Sequence, residues 1–111
     1  MTRRKTSLYI DIQMADSEPV SDTAPHQLRR SVKYVALNGA GSILATKTYA
    51  QATRQNSINF INYVLGRTST PIRIIRTDWS LVFEGEFARH LAVLNLRHER
   101  VVPYEANDLC F

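Results

Sequence analysis

Two acidic residues stand inside apolar strand patterns of this chain. Residues 72–78 read Ile-Arg-Ile-Ile-Arg-Thr-Asp, a strand pattern that ends in the carboxylate of Asp78. Asp11 stands in the middle of a second such run, residues 7–14. An ionised side chain among strand formers is costly unless it is solvated, paired or bound to a metal ion. The fold must provide such an environment twice, and this requirement constrains it more than any other feature.

Alternation of apolar and polar side chains predicts five strands. Within residues 7–14 this alternation places Asp11 on the more polar face of the first strand. Further strands are predicted over residues 32–37, 43–50, 72–78 and 96–102. The second and third strands are separated by a Gly-rich turn that begins Asn38-Gly39. This pair predicts a hairpin because both residues tolerate positive φ.

Two stretches have apolar residues at helical spacing. Residues 58–65 form the first, with Asn56 or Ser57 as a possible N-cap and Gly66 suited to the end. The second stripe consists of Phe83, Phe87, Leu91 and Leu94. The resulting order is three strands, a helix, a strand, a helix and a strand. It predicts an α/β fold with a mixed five-stranded sheet and helices on its faces.

We expect one domain over residues 1–111, since this length supports a modest core. Residues 1–6 form a basic arm, and residues 15–31 are rich in turn formers and predict a flexible insertion. No apolar run is long enough to span a membrane. The single cysteine, Cys110, cannot form an internal disulfide, so we expect an intracellular protein.

Three short motifs follow one another along the chain. They are Ile10-Asp11-Ile12, then Ile75-Arg76-Thr77-Asp78 with Phe83 beyond it, then Leu94 to His98 running to Pro103-Tyr104 and Asn107. Their order and spacing resemble the ribonuclease-H-like catalytic core of retroviral integrases and DDE transposases. The resemblance covers nearly the whole chain and implies a ribonuclease-H-like fold.

The resemblance also implies a function. Asp11 and Asp78 fall on the two family aspartates that bind Mg²⁺ or Mn²⁺, and His98 falls on a family histidine near the active-site rim. Hard divalent cations prefer carboxylate oxygens, and two such ions about 4 Å apart support phosphoryl transfer. The implied partners are DNA and a second copy of the chain. The implied setting is a mobile element, in the cytoplasm if that element is bacterial.

The chain departs from the family pattern in two places. Asp78 is followed by Trp79-Ser80-Leu81-Val82 where the family has Asn-Gly-Ser-Glu. In the terminal segment the candidates for the third acid are Glu105 and Asp108, so we expect the third-acid helix to be missing or shortened. One hypothesis is a core for metal-dependent DNA strand transfer that is incomplete or weakly active. The alternative is a non-catalytic remnant that binds DNA or dimerises.

Several residues are candidates for contact with nucleic acid. Fourteen Lys and Arg against ten Asp and Glu give a net charge of +4, which is compatible with a polyanionic partner. Arg29, Arg30 and Arg76 are candidate phosphate contacts. Trp79 can stack on a base or cover the edge of the core. His98 can lie at the DNA or serve as an ordinary hydrogen-bonded strand residue.

The two aspartates also have structural interpretations. Asp11 can be a buried acid that pairs with Arg76 or Lys33. Asp78 can be the N-cap of the second helix, because an Asp between a strand and a helix is a common cap.

Overall fold

The computed structural model describes residues 6–15 and 31–102. Within these ranges the chain forms five strands, two α-helices and one 3₁₀ turn. They are β1 (Ser7–Ala15), β2 (Ser31–Asn38), β3 (Ile43–Tyr49), α1 (Arg54–Leu65), β4 (Ile74–Thr77), the 3₁₀ turn (Leu81–Phe83), α2 (Glu86–Val93) and β5 (Arg97–Arg100). The predicted element order is confirmed. Residues 1–5 of the predicted basic arm and residues 16–30 of the predicted insertion lie outside the described ranges.

The five strands form one mixed sheet in the order β3-β2-β1-β4-β5. β1 pairs with β2, and β2 pairs with β3, both in antiparallel orientation. β4 pairs parallel to β1, and β5 pairs parallel to β4, because each follows a helical crossover. The predicted α/β fold with a mixed five-stranded sheet is therefore confirmed.

One face of the sheet carries the hydrophobic core. Leu8 and Ile10 of β1 point to this face and are almost completely buried, whereas Asp11 lies on the other face and is partly exposed. Both described helices pack on the Leu8 face. Their buried apolar residues are Phe60, Ile61, Val64, Phe87 and Leu91. Full burial of such a side chain contributes about 1.5–3 kcal/mol to the free energy of folding, so packing on this face stabilises the sheet. It also fixes which side chains of each strand point to the opposite face.

The N-cap of the first helix lies three residues before Asn56, the earlier of the two predicted caps. Thr53 is the N-cap, and its hydroxyl accepts a hydrogen bond from the backbone N–H of Asn56 at 2.9 Å. The predicted caps Asn56 and Ser57 are therefore wrong. Ser57 lies inside α1 and is buried, with its Oγ 2.7 Å from the Tyr34 hydroxyl. The predicted end at Gly66 is confirmed.

The hairpin between β2 and β3 is confirmed, but its chemistry differs from the prediction. The Asn38 side chain accepts hydrogen bonds from the backbone N–H groups of Ala40 and Ser42, both at 2.9 Å. The positive φ of this turn, +86°, belongs to Gly41 and not to the Asn38-Gly39 pair. The connection is therefore an Asx-type turn built on the Asn38 side chain, with Gly41 as the residue of positive φ.

The second helical stripe is divided into two elements. Phe83 belongs to the 3₁₀ turn, and α2 begins at Glu86 after Gly85, whose φ of +58° interrupts the helix. Both parts still bury their aromatic residues, with the rings of Phe83 and Phe87 5.0 Å apart. Because Gly85 is the N-cap residue of α2, the proposed role of Asp78 as the cap of this helix is wrong.

None of the helices in the described ranges is long and apolar enough to cross a membrane.

Loss of the Thr53 cap should weaken the fold measurably. Thr53→Ala removes the acceptor for the Asn56 N–H, so we expect the free energy of unfolding to fall by about 1 kcal/mol. Urea unfolding followed by circular dichroism measures this change. Thr46→Ala, at an exposed position of β3, is the matched control and should change the free energy by less than about 0.5 kcal/mol. Equal values for Thr53→Ala and the unmodified chain would contradict the assignment.

Candidate metal site and the loop beside it

The parallel register of β1 and β4 brings the two aspartates together. Tyr9 lies opposite Arg76 in this pairing, so two further residues along each strand place Asp11 opposite Asp78. Adjacent strands lie about 4.8 Å apart, and residues paired in register point to the same face. Asp78 directly follows the last residue of β4. Continuation of this register beyond the last pair therefore places the two carboxylates near each other on the face opposite the core.

Each carboxylate uses one oxygen for a local hydrogen bond. Asp11 Oδ2 accepts from the side-chain amide of Gln13 at 3.3 Å. Asp78 Oδ1 accepts from the backbone N–H of Ser80 at 2.8 Å. Among the described residues, no further hydrogen bond and no ion pair engages either side chain. One oxygen of each carboxylate is thus available to a ligand.

The hydroxyl of Tyr9 responds electrostatically to both acids. Burial raises the pKa of Tyr9, the negative charges of Asp11 and Asp78 raise that pKa further, and Arg76 partly lowers it. Both carboxylates are therefore within electrostatic range of the Tyr9 hydroxyl. Because its pKa is raised, the Tyr9 hydroxyl keeps its proton at neutral pH and can donate a hydrogen bond. Tyr9 is not among the site residues predicted from the sequence, although its position two residues before Asp11 puts it on the same strand face.

Arg76 pairs with Glu99 and not with Asp11. Its Nε lies 3.5 Å from Glu99 Oε1, and Arg97 Nε lies 3.3 Å from the second oxygen of Glu99. The 3.5 Å contact is an ion pair without hydrogen-bond geometry, so the buried Arg76 Nε makes no hydrogen bond. The structural alternative for Asp11 is therefore wrong for Arg76, and no ion pair links Asp11 to Lys33 in the described part of the chain.

His98 lies on the core face, away from the two aspartates. Its Cα pairs with that of the buried Ile75, and its Nε2 lies 2.8 Å from Thr77 Oγ1. Its ring packs edge-on against Phe87 with centroids 5.5 Å apart. Burial, followed by the charge of Arg100, lowers the pKa of His98 to about 4. The structure thus does not bring His98 together with Asp11 and Asp78.

Trp79 is exposed, with 62% of its surface accessible, so the interpretation that it covers the core edge is wrong. Its ring lies 4.8 Å from the guanidinium carbon of Arg100. Arg100 was not predicted from the sequence. It belongs to β5, 21 residues along the chain from Trp79, and no local pattern indicates such a contact.

The described residues contain no group of three His, Cys, Asp or Glu side chains that could hold a metal ion. The candidate third acids Glu105 and Asp108 lie outside the described ranges, as do Arg29 and Arg30. Within the described residues, Asp11 and Asp78 thus have no third acid that would complete a metal-ligand group.

Comparison with known proteins identifies the fold. No protein-family model matches the chain, and no curated protein sequence matches it. A chain of the simian T-cell lymphotropic virus intasome in complex with PP2A regulatory subunit B56 gamma aligns with a TM-score of 0.74 at 16% identity, covering 95% of this chain and 35% of that one. The HTLV-2 integrase catalytic core domain in complex with magnesium, in its dimeric form, gives 0.71 at 14%, covering 94% of this chain and 64% of that one.

A third structure agrees. The catalytic core domain of BIV integrase aligns with a TM-score of 0.69 at 11% identity, covering 95% of this chain and 61% of that one. The chain has the fold of a retroviral integrase catalytic core. At such low identity the likeness establishes the fold alone. This integrase-like core spans less than two thirds of each of the three chains it matches.

The partly buried His98 of the integrase-like core should make the stability of the fold depend on pH. The pKa of His98 is about 4 in the folded chain against an ordinary 6.5, so the unfolded chain binds the proton first as pH falls. The stability contribution is complete above about pH 6.5 and is lost as the pH falls toward about 4. We expect a loss on the order of 1–2 kcal/mol after discounting for partial exposure, measured by urea unfolding across this range.

His98→Gln is the matched control for this effect, since Gln can bond to Thr77 Oγ1 but does not titrate. Its unfolding free energy should change less over the same pH range. An identical pH dependence for both proteins would show that His98 is not the responsible group.

Proposed function

We propose that this integrase-like core binds a divalent metal ion, Mg²⁺ or Mn²⁺, between Asp11 and Asp78 and takes part in DNA strand transfer. The observation that carries the proposal is the register of β1 and β4, which sets the two carboxylates side by side. The donor set fits the ion, because each carboxylate retains one oxygen without a hydrogen bond among the described residues and hard cations prefer such oxygens. No described cation neutralises either acid by an ion pair.

When bound, the metal ion would polarise a phosphate oxygen and help to form the attacking nucleophile. Residues of the chain itself would orient the ligands of the ion and contact the phosphate. Gln13 and the backbone of Ser80 orient the two carboxylates through hydrogen bonds. Tyr9 holds a protonated hydroxyl beside them and can donate to a phosphate oxygen. Arg76 lies on the same face as a cation, although Glu99 offsets part of its charge.

A complete two-metal site needs a further acid. Glu99 is a poor candidate because its carboxylate lies between Arg76 and Arg97 at 3.5 and 3.3 Å. We propose Glu105 or Asp108 for this role, both from the segment outside the described ranges. With Asp11 and Asp78 alone the site is suited to one weakly held ion, so we expect weak or incomplete catalysis.

The partners follow from the same proposal. The net charge of +4 and candidate contacts at Arg29, Arg30, Arg76 and Trp79 support DNA as the polyanionic partner. The HTLV-2 core is described in a dimeric form, and we propose that this chain also forms a homodimer. We expect it to act inside the cell, in the cytoplasm if it belongs to a bacterial mobile element.

A second candidate function is DNA binding or dimerisation without catalysis. The observation that favours it is the lack of a three-residue metal-ligand group in the described part of the chain. The exposed Trp79 that follows Asp78 also departs from the polar turn expected of the family. In this case the fold would persist and the two aspartates would have no catalytic role.

Calorimetric titration with Mn²⁺ tests the metal site. The unmodified chain should bind the ion with a dissociation constant on the order of 0.1–1 mM, because two carboxylates are its only identified protein ligands. Asp11→Asn and Asp78→Asn should each weaken binding by about tenfold or more. Glu86→Gln, which removes an exposed acid from α2, should leave it unchanged. Equal weakening by all three substitutions would indicate diffuse attraction of the cation and contradict the site.

A strand-transfer assay then separates the two functions. Joining of a labelled DNA end to a plasmid in the presence of Mn²⁺, lost in Asp78→Asn, supports the catalytic function. Glu105→Gln and Asp108→Asn, tested in parallel, identify the third acid by loss of the same activity. DNA binding and dimerisation without joining, unaffected by Asp78→Asn, would support the non-catalytic function.

A further inference from the structure

The guanidinium of Arg100 holds the loop that follows β4. Its Nε donates to the carbonyl of Asp78 at 2.7 Å, and its Nη2 donates to the carbonyl of Ser80 at 3.0 Å. Its Nη1 reaches the carbonyl of Phe83 at 3.4 Å, and Nη2 lies 3.7 Å from a carboxylate oxygen of Glu84. The Arg100 side chain is only 14% exposed. A single planar group therefore fixes four residues of the loop, because Arg presents five donors in a rigid arrangement.

Trp79 lies within this fixed loop and is presented to solvent. The guanidinium carbon of Arg100 is 4.8 Å from the centre of the Trp79 ring, within the range of a cation–π contact. The ring is nevertheless 62% exposed. Covering this exposed ring with a ligand would remove apolar surface from water, which is favourable. The contact with Arg100 already restricts the ring, so less conformational entropy is lost when a ligand binds. The ring is thus prepared for a flat partner.

The position of Trp79 indicates the class of this partner. Trp79 directly follows Asp78 in the chain, so the loop that carries its ring begins at one of the two carboxylates of the candidate metal site. Two arginines serve the same loop, since Arg54 Nε also donates to the carbonyl of Leu81 at 3.2 Å. Exposed aromatic rings beside cationic side chains are typical of surfaces that bind single-stranded nucleic acid, where each base offers a flat face for stacking. A base paired inside a duplex has no free face.

We propose that Trp79, held in place by Arg100, is a stacking platform for an unpaired base of the DNA strand that reaches Asp78. The inference rests on DNA being the partner under the proposed function, but it requires neither metal binding nor catalysis. It assigns the contact with the base to the loop between β4 and α2.

The test uses fluorescence of the full chain in EDTA, where no divalent ion contributes. Trp79 is the single tryptophan of the 111 residues, so all tryptophan emission reports on this ring. An oligothymidine strand should quench the emission, and a blunt duplex of equal length should quench it much less. Trp79→Ala, with binding measured by anisotropy of the labelled strand, should lose roughly 5- to 100-fold in affinity for the single strand.

Leu81→Ala is the matched control, because Leu81 is a 68% exposed apolar residue of the same loop. It should bind the single strand like the unmodified chain. If Leu81→Ala weakens binding as much as Trp79→Ala, the surface is a general apolar contact and the stacking proposal is wrong. Unchanged affinity of Trp79→Ala, or equal quenching by duplex and single strand, would also overturn it.

Arg100→Lys tests the positioning role of Arg100. Lysine keeps the positive charge but has one nitrogen in place of the planar set of three that reaches the carbonyls of Asp78, Ser80 and Phe83. Quenching by the single strand should therefore decrease, while the salt dependence of binding stays the same. Quenching equal to that of the unmodified chain would exclude this role. Circular dichroism checks that each variant is folded, and Trp79→Ala tests the platform even if Arg100→Lys does not fold.

These outcomes are separable from those of the metal proposal. If the single strand stacks on Trp79 in EDTA while Asp11→Asn and Asp78→Asn bind Mn²⁺ as the unmodified chain does, the metal-site proposal is wrong and the stacking proposal is supported. Site-specific Mn²⁺ binding without a single-strand preference would do the reverse.

Discussion

The parallel pairing of β1 with β4 is the constraint on which the site depends. It consists of three residue pairs, from Ser7 opposite Ile74 to Tyr9 opposite Arg76. On one face this register joins Leu8 to Ile75, both completely buried under the helices. On the other face it leads to Asp11 and Asp78. A slip of one residue would exchange the two faces, moving acids into the core, so burial of the apolar residues and approach of the carboxylates are enforced together.

The end of β4 shows how the rest of the sheet supports this arrangement. Strand pairing stops at Thr77, and the carbonyls beyond it need other partners. Arg100, from the neighbouring strand β5, supplies them at Asp78, Ser80 and Phe83. Asp78 is therefore held on both sides, by its strand and by this loop. The turn after Asp78 is thus held by these hydrogen bonds, although it lacks the glycine that the family pattern has after the acid.

Much of this architecture follows from local patterns. Period-two alternation located the five strands, helical spacing located both helices, and the alternation around Asp11 placed it opposite the core. The sequence could not reveal features that depend on contacts between residues distant along the chain. Thr53 caps α1, whereas Ser57, a plausible cap from the local sequence, lies inside the helix and contacts the hydroxyl of the buried Tyr34. The side of the sheet to which His98 points follows from its register with Ile75, which strand pairing alone reveals. The contacts of Arg100 join elements distant in sequence, beyond any local pattern.

If Asp11 and Asp78 form one metal site, as we propose, paramagnetic NMR locates it most directly. Substoichiometric Mn²⁺ broadens the amide signals nearest the bound ion. We expect signals of residues 9–12 and 77–80 to broaden first, before those of the hairpin at residues 38–42, and we expect Asp11→Asn to remove this effect. Broadening centred on another acid, such as Glu86 of α2, or preserved in Asp11→Asn, would contradict the pairing of the two carboxylates.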